Sequence, residues 1–197
     1  MFILASGSPR RKELLDQIGA SFTVLVSNAA EESGDVLELE KLVVRNAAAK
    51  ARAVADVHPE LPILGADTVV SLDGHTYGKP QDKVDACRML TELSGRTHEV
   101  STGMAFVKNG KIYTDVVTTR VTFAAMTAAE IVQYAETGEP FDKAGAYAVQ
   151  GKAAVFIEKI DGSYSNVVGL PLYGLTRLAR KAGVDLYGNH GEGFTAR

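Results

Sequence analysis

The stretch Phe2-Ile3-Leu4-Ala5-Ser6-Gly7-Ser8-Pro9-Arg10-Arg11-Lys12 sets the architecture. The apolar run Phe2 to Ala5 reads as a strand. Ser6-Gly7-Ser8 is a turn of small residues. Pro9 then opens a helix with Leu14, Leu15 and Ile18 on one face and a stop at Gly19. Ser8 suits the N-cap, and Pro9 suits the first helical position because its missing N–H has no intrahelical partner to lose. The charges are out of place. Arg10, Arg11 and Lys12 fill the first turn, where the helix dipole already presents about half a positive charge and disfavours each cation by roughly 0.3–1 kcal/mol. An anion docked at this corner, most naturally a phosphate, accounts for them; a solvated basic helix start is the alternative.

Outward from this corner, Phe22 to Val26 reads as a second strand, followed by a polar loop, Ser27 to Asp35, with Glu31 and Glu32. Val36 to Val57 is an alanine-rich helix with Leu39, Val43, Ala47, Ala51 and Val54 inward and Lys50 bordering that stripe. Pro62 to Leu72 is an apolar strand with Asp67 and Thr68 in its middle. Asp73-Gly74 is a turn, and Tyr77-Gly78-Lys79-Pro80 a second loop. Asp82 caps a helix to Leu93 with Ala86, Met89, Leu90 and Leu93 inward. His98 to Val107 and Ile112 to Phe123 form a hairpin around Asn109-Gly110. Thr127 to Glu130 is a capping box that opens a helix. A loop rich in glycine and alanine runs from Asp142 to Gly151, a strand from Ala153 to Ile160, and a last helix from Leu172 to Ala182. These elements predict an α/β fold with a mixed sheet.

The 197 residues suit one domain, expected over 1–186, with a flexible tail over 187–197. A net charge of −3 disfavours nucleic acid as a partner and makes the local basic cluster more informative. Cys87 is the only cysteine, so no internal disulfide can form. The N-terminal pattern is not that of a signal peptide, and no apolar run approaches the ~20 residues of a membrane span. A cytoplasmic location without a membrane partner is the expectation.

Asp67 is the second centre of interest. A carboxylate inside Ile63 to Leu72 costs several kcal/mol if buried without a partner. Hydrogen bonds to nearby backbone, pairing with a cation, a metal, or a strand end opening to a cleft would each account for it, and the functional reading is a metal ligand or general base. Glu31 or Glu32 beside a phosphate site would add a hard oxygen ligand for Mg²⁺ or Mn²⁺. The four histidines lack ligand spacing, so zinc is disfavoured, and His98 reads as structural. Taken singly, Lys79 and Lys143 read as surface lysines and Gln150 as a solvated loop residue, although its amide suits a base edge. Walker-A, G-x-S-x-G and H-E-x-x-H motifs are absent. Cations, an anion-binding helix start and carboxylates remain, and these fit metal-assisted attack of water on phosphorus.

Seven segments carry a resemblance. Leu4 to Leu15, Leu64 to Val69, Gly78-Lys79-Pro80, Leu93-Ser94-Gly95, Asp142 to Tyr147, Gln150-Gly151 and Val168 to Pro171 together resemble the Maf family of nucleoside triphosphate pyrophosphatases. The resemblance implies a two-lobed α/β fold around a central cleft, related to the inosine triphosphate pyrophosphatases. It implies hydrolysis of a nucleoside triphosphate to the monophosphate and pyrophosphate with a divalent metal, Mg²⁺ or Mn²⁺. The family's proton acceptor falls on Asp67, its substrate-choice positions on Arg10, Thr68 and Gln150, and further cleft positions on Ser8, Arg11, Glu31, Lys50 and Lys79. In that scheme Ser8, Arg11, Lys50 and Lys79 hold phosphate, and Glu31 with Asp67 holds the metal. The loop from Asp142 to Gly151 resembles the dTTP/UTP branch. A homodimer is a family expectation. A nucleotide-binding regulator of cell division, using the same cleft without turnover, is the alternative.

Overall fold

The computed structural model describes residues 1–32 and 39–188. Strand β1 (Phe2–Leu4) runs into helix α1 (Pro9–Gln17), as the opening stretch predicts. Strand β2 (Phe22–Val24) and helix α2 (Leu39–Ala55) follow. Strands β3 (Ile63–Leu72) and β4 (His75–Tyr77) form a hairpin, and helix α3 (Lys83–Leu93) comes next. Strands β5 (Thr97–Lys108) and β6 (Lys111–Phe123) make the long central hairpin. Helix α4 (Ala128–Glu136), strand β7 (Ile157–Asp161) and helices α5 (Tyr164–Val168) and α6 (Leu172–Ala182) complete the described chain.

The strands make one mixed sheet in the order β2-β1-β3-β5-β6-β7, with β4 added to β3. β1 is parallel to β2 and β3, and the remaining pairs are antiparallel. One feature of the register makes room for a site. β1 pairs with β3 only at Ile3↔Ile63 and Leu4↔Leu64. β4 takes up the same edge again at Val70 to Leu72. Between them, the β3 edge at Asp67 and Thr68 is left to the turn after β1. Ligands of open α/β sheets bind in such a crevice beyond the carboxyl ends of parallel strands.

Helix α2 lies very close to one sheet face. Its inward stripe is as predicted, with Leu39, Val43, Ala47, Ala51 and Val54 all buried. A Cβ at Gly65 would fall 2.1 Å from the Ala47 carbonyl oxygen, and one at Gly103 would fall 2.4 Å from the Val43 carbonyl. Gly103 is the β5 neighbour of Asp67. Two glycines and an alanine stripe therefore bring the α2 backbone down onto the strands. The opposite face carries α6, where Gly174 meets Met104 and Val117.

The capping residues act as the sequence indicates. Asp82 accepts from the Asp85 N–H, and the Thr127–Glu130 capping box closes in both directions. The apolar run from Ala153 splits differently: residues Lys152–Phe156 form a 3₁₀ turn, and strand pairing begins only at Ile157. The Glu139 carboxylate takes the Lys152 and Ala153 N–H groups that a ladder would have used. The first strand turn is also shorter than expected at β2, which stops at Val24 rather than Val26. The expected start of α2 at Val36 and most of the expected tail, 189–197, lie outside the described residues. Among those described, no helix is long and apolar enough to cross a membrane.

Gly65→Ala should destabilise the fold by about 1–3 kcal/mol or more, the usual scale for overpacking. Gly78→Ala, where an added Cβ meets nothing within 4 Å, should leave stability nearly unchanged. Urea unfolding of the two variants checks both.

Candidate active site

The crevice beside β3 opens into a cleft of about 820 Å³. Ser8, Arg10, Arg11, Glu31, Lys50, Asp67, Thr68, Lys79 and Gln150 all line it, although they are spread over more than 140 positions of the chain. The lining holds five cations, Lys143 included, and four carboxylates. A locally cationic cleft in a chain of net charge −3 favours an anionic ligand.

Asp67 is buried and faces α2. Its Oδ1 accepts from Lys50 Nζ at 2.7 Å, and its Oδ2 accepts from Asn46 Nδ2 at 2.9 Å. Asn46 and Lys50 are four apart, hence on one helix face, and the close approach of α2 lets both reach the strand. Lys50 also meets Glu31 at 2.7 Å. Two carboxylates thus converge on one ammonium at the cleft wall. Lys50 lies at the cleft wall, where its ammonium is shared by Asp67 and Glu31. Glu32 turns the other way, to Arg45.

Asn46 was not singled out by sequence, where it is one polar residue in an alanine-rich helix. It is buried, and it accepts from the Glu32 N–H at 2.8 Å while donating to the Glu32 carbonyl at 3.0 Å. One amide therefore fastens the acidic segment to α2 and steadies Asp67. Its only sequence signal is its place one helical turn before Lys50.

The basic corner divides into three roles. Arg11 is buried, and its guanidinium donates to the Gly169 carbonyl, Ser6 Oγ and Thr68 Oγ1 at 2.9–3.0 Å. Burial pushes its pKa below the ordinary value, and the Asp67 carboxylate opposes that shift. Among the described residues the protein uses three of its five donors. Thr68 also bonds Thr102, so Arg11 and Thr68 act as one unit. Arg10 crosses the cleft to Asp142, donating to Oδ2 at 2.7 Å and to the carbonyl at 3.2 Å. Burial raises the Asp142 carboxyl, but bonds from Lys143 and Arg10 outweigh it and hold the group below the usual carboxylate range. Lys12 departs from the expectation. It pairs with Asp16 one turn along α1 and leaves the corner, as its i,i+4 spacing allows. Ser8 occupies the N-cap, but its hydroxyl makes no capping bond.

His98 is structural, as read. It is buried against Phe123 and bonded to the Tyr147 hydroxyl at 2.8 Å, and burial pushes its pKa down to about 4. Among the described residues no group of three His, Cys, Asp or Glu side chains forms a metal cage. Glu31 and Asp67 nevertheless suit Mg²⁺ or Mn²⁺ by chemistry. Mg²⁺ is commonly held by one or two carboxylates together with substrate phosphates and water, and both carboxylates here reach one point.

Fold and site together define an α/β protein with a cleft, lined by cations and carboxylates, at the ends of its parallel strands. The profile described as Maf-like protein matches residues 1–182, and the chain belongs to that family. Three relatives are each named dTTP/UTP pyrophosphatase. The chain is 49% identical to that of Bacillus cytotoxicus, covering 89% of this chain and 92% of the relative. It is 50% identical to that of Hydrogenovibrio crunogenus, covering 91% and 94%. It is 45% identical to that of Deinococcus radiodurans, covering 94% and 95%. The Staphylococcus aureus Ham1 protein structure is also similar, with 13% identity, a TM-score of 0.44 and coverage of 79% of this chain and 90% of that one.

Asn46→Leu keeps the volume and leaves the Glu32 backbone and one Asp67 oxygen without their partner. A loss of about 1–3 kcal/mol is expected. Amide exchange at Glu32 should quicken, and an unchanged rate there would show that Asn46 does not hold the segment.

Proposed function

We propose that this protein hydrolyses dTTP and UTP to the monophosphate and pyrophosphate. The observation that carries the reading is Asp67, a buried carboxylate held by Asn46 and Lys50 at the wall of a cationic cleft. The names of relatives at 45–50% identity support the same substrates and do not favour a regulator without turnover.

The chain's own residues suggest how the reaction runs. Arg10, Arg11 and Lys79 receive the triphosphate at the cleft wall, with Ser8 and the backbone at the α1 N-terminus. Lys50 and Asn46 each occupy one lone pair of Asp67, and an ionised carboxylate offers about four such sites. Asp67 therefore keeps capacity to accept a proton from water as that water attacks the α-phosphorus. The bond from the α-phosphorus to the bridging oxygen breaks, and pyrophosphate leaves. Glu31 with Asp67 would hold Mg²⁺ or Mn²⁺, which neutralises phosphate charge when bound. Gln150 faces the base, and its amide can donate to and accept from a pyrimidine edge. Thr68, fixed by Arg11 and Thr102, completes that choice with Arg10.

Pyrophosphate release should be fastest with dTTP and UTP, slower with CTP and GTP, and abolished by EDTA. Asp67→Asn should keep nucleotide binding and lose at least ~100-fold in kcat, a usual scale for an acid–base group. Near-normal turnover of that variant would remove Asp67 from the reaction.

A further inference from the structure

Gln150 stands at the cleft on an exposed loop position, and among the described residues its side chain makes no hydrogen bond. Its aim is therefore set by the backbone on either side. Both sides lead to one residue behind the wall. After α4 the chain turns at Gly138 into a 3₁₀ turn, Glu139–Asp142. The Glu139 carboxylate accepts from the Lys152 N–H at 3.0 Å and from the Ala153 N–H at 3.4 Å. It also accepts from the Tyr134 hydroxyl at 2.8 Å. That hydroxyl accepts in turn from the Ala148 N–H at 3.3 Å. Ala148 and Lys152 are the positions two before and two after Gln150. Between them, a Cβ at Gly151 would lie 2.4 Å from Glu139 Oε2, so the carboxylate sits directly against the loop backbone.

The same residue also reaches the other side of the base-facing wall. Its carbonyl accepts from Lys143 Nζ at 2.8 Å. Lys143 is paired with Asp142, and Asp142 holds Arg10. Arg10 and Gln150 thus stand at the two ends of one hydrogen-bonded unit with Glu139 at its middle. Neither Glu139 nor Tyr134 lines the cleft. Burial and the Glu139 contact push the Tyr134 phenol well above its ordinary pKa, which keeps its proton on the bond. Bonds from backbone N–H groups to a carboxylate are charge-assisted and stronger than neutral ones. The anchor fixes the backbone from which the Gln150 side chain projects.

We propose that Glu139, with Tyr134, is the positioning residue that sets nucleotide choice by fixing the loop of Gln150 and, through Lys143 and Asp142, the guanidinium of Arg10. The proposal rests on the reading of Gln150 as the residue that faces the base. Glu139 touches no substrate; it acts through the residues that do.

The test measures kcat and KM for dTTP, UTP, CTP and GTP on the full chain with Mg²⁺, for wild type, Gln150→Ala, Glu139→Ala, Glu139→Gln and Tyr134→Phe. Gln150→Ala and Glu139→Ala should each reduce the dTTP-over-GTP ratio of kcat/KM about tenfold or more, the scale of a lost hydrogen-bonding contact in a specificity pocket. The loss should fall more on KM for dTTP and UTP than on kcat. Glu139→Gln should restore part of the ratio, because its carbonyl still accepts one bond. Tyr134→Phe, which removes the bonds to Ala148 and Glu139 but leaves Glu139 its bonds to Lys152 and Ala153, should move the ratio in the same direction by less, and it carries the test if Glu139→Ala does not fold. An unchanged ratio in Glu139→Ala and Tyr134→Phe, beside a reduced one in Gln150→Ala, overturns the role of Glu139 alone. A parallel fall on all four nucleotides also overturns it, since that is what a merely structural residue gives. An unchanged ratio in Gln150→Ala overturns the base-facing reading and the proposal with it.

Discussion

The contact between Lys50 and Asp67 depends on how near α2 lies to the sheet, and most of the cleft depends on that contact. Gly65 and Gly103 leave no side chain between helix and strands. The alanine stripe of α2 then lets Asn46 and Lys50 reach Asp67 from one helical face. Both charged side chains of the pair are about nine-tenths buried. Removing one partner of such a pair typically costs about 3–5 kcal/mol, because the other charge stays buried alone. The ion pair is thus a constraint on geometry as much as a source of stability. It holds a carboxylate at the cleft wall in one orientation, with lone pairs to spare.

The second element of the design is the unpaired length of β3. β1 stops after two rungs and β4 resumes the same edge further on. The turn after β1 fills the gap and delivers the α1 N-terminus, Arg10 and Arg11. Alternation along β3 sends Asp67 to the α2 face and Thr68 to the Arg11 face. The Asp67 carboxylate and the Arg11 guanidinium are thereby separated across one strand, while both remain at the same opening. The wall from Asp142 to Gln150 closes the far side and is tied back to α1 through Asp142.

Much of this was legible in the sequence. The α2 and α3 stripes followed from 3.6-residue periodicity, α6 was bounded correctly, and Asp82 and Thr127 announced their caps. The nine residues converge on one cleft because the sheet brings the α1 N-terminus, helix α2, the middle of β3 and the loops of Lys79 and Gln150 to the same opening. What sequence missed were contacts between distant positions. Asn46 matters only because α2 descends onto β3, which a helical pattern does not reveal. Glu139 meets Lys152 across 13 positions, and that bond also converts the expected start of β7 into a 3₁₀ turn. Lys12 was counted with the phosphate cluster although its spacing to Asp16 offered a nearer partner.

The central claim is that water, attended by Asp67, attacks the α-phosphorus of the nucleotide. Turnover of dTTP in water enriched in oxygen-18, followed by mass spectrometry of both products, tests it most directly. The account requires the label in dTMP and unlabelled pyrophosphate. Label in the pyrophosphate, or orthophosphate as the first product, would contradict it.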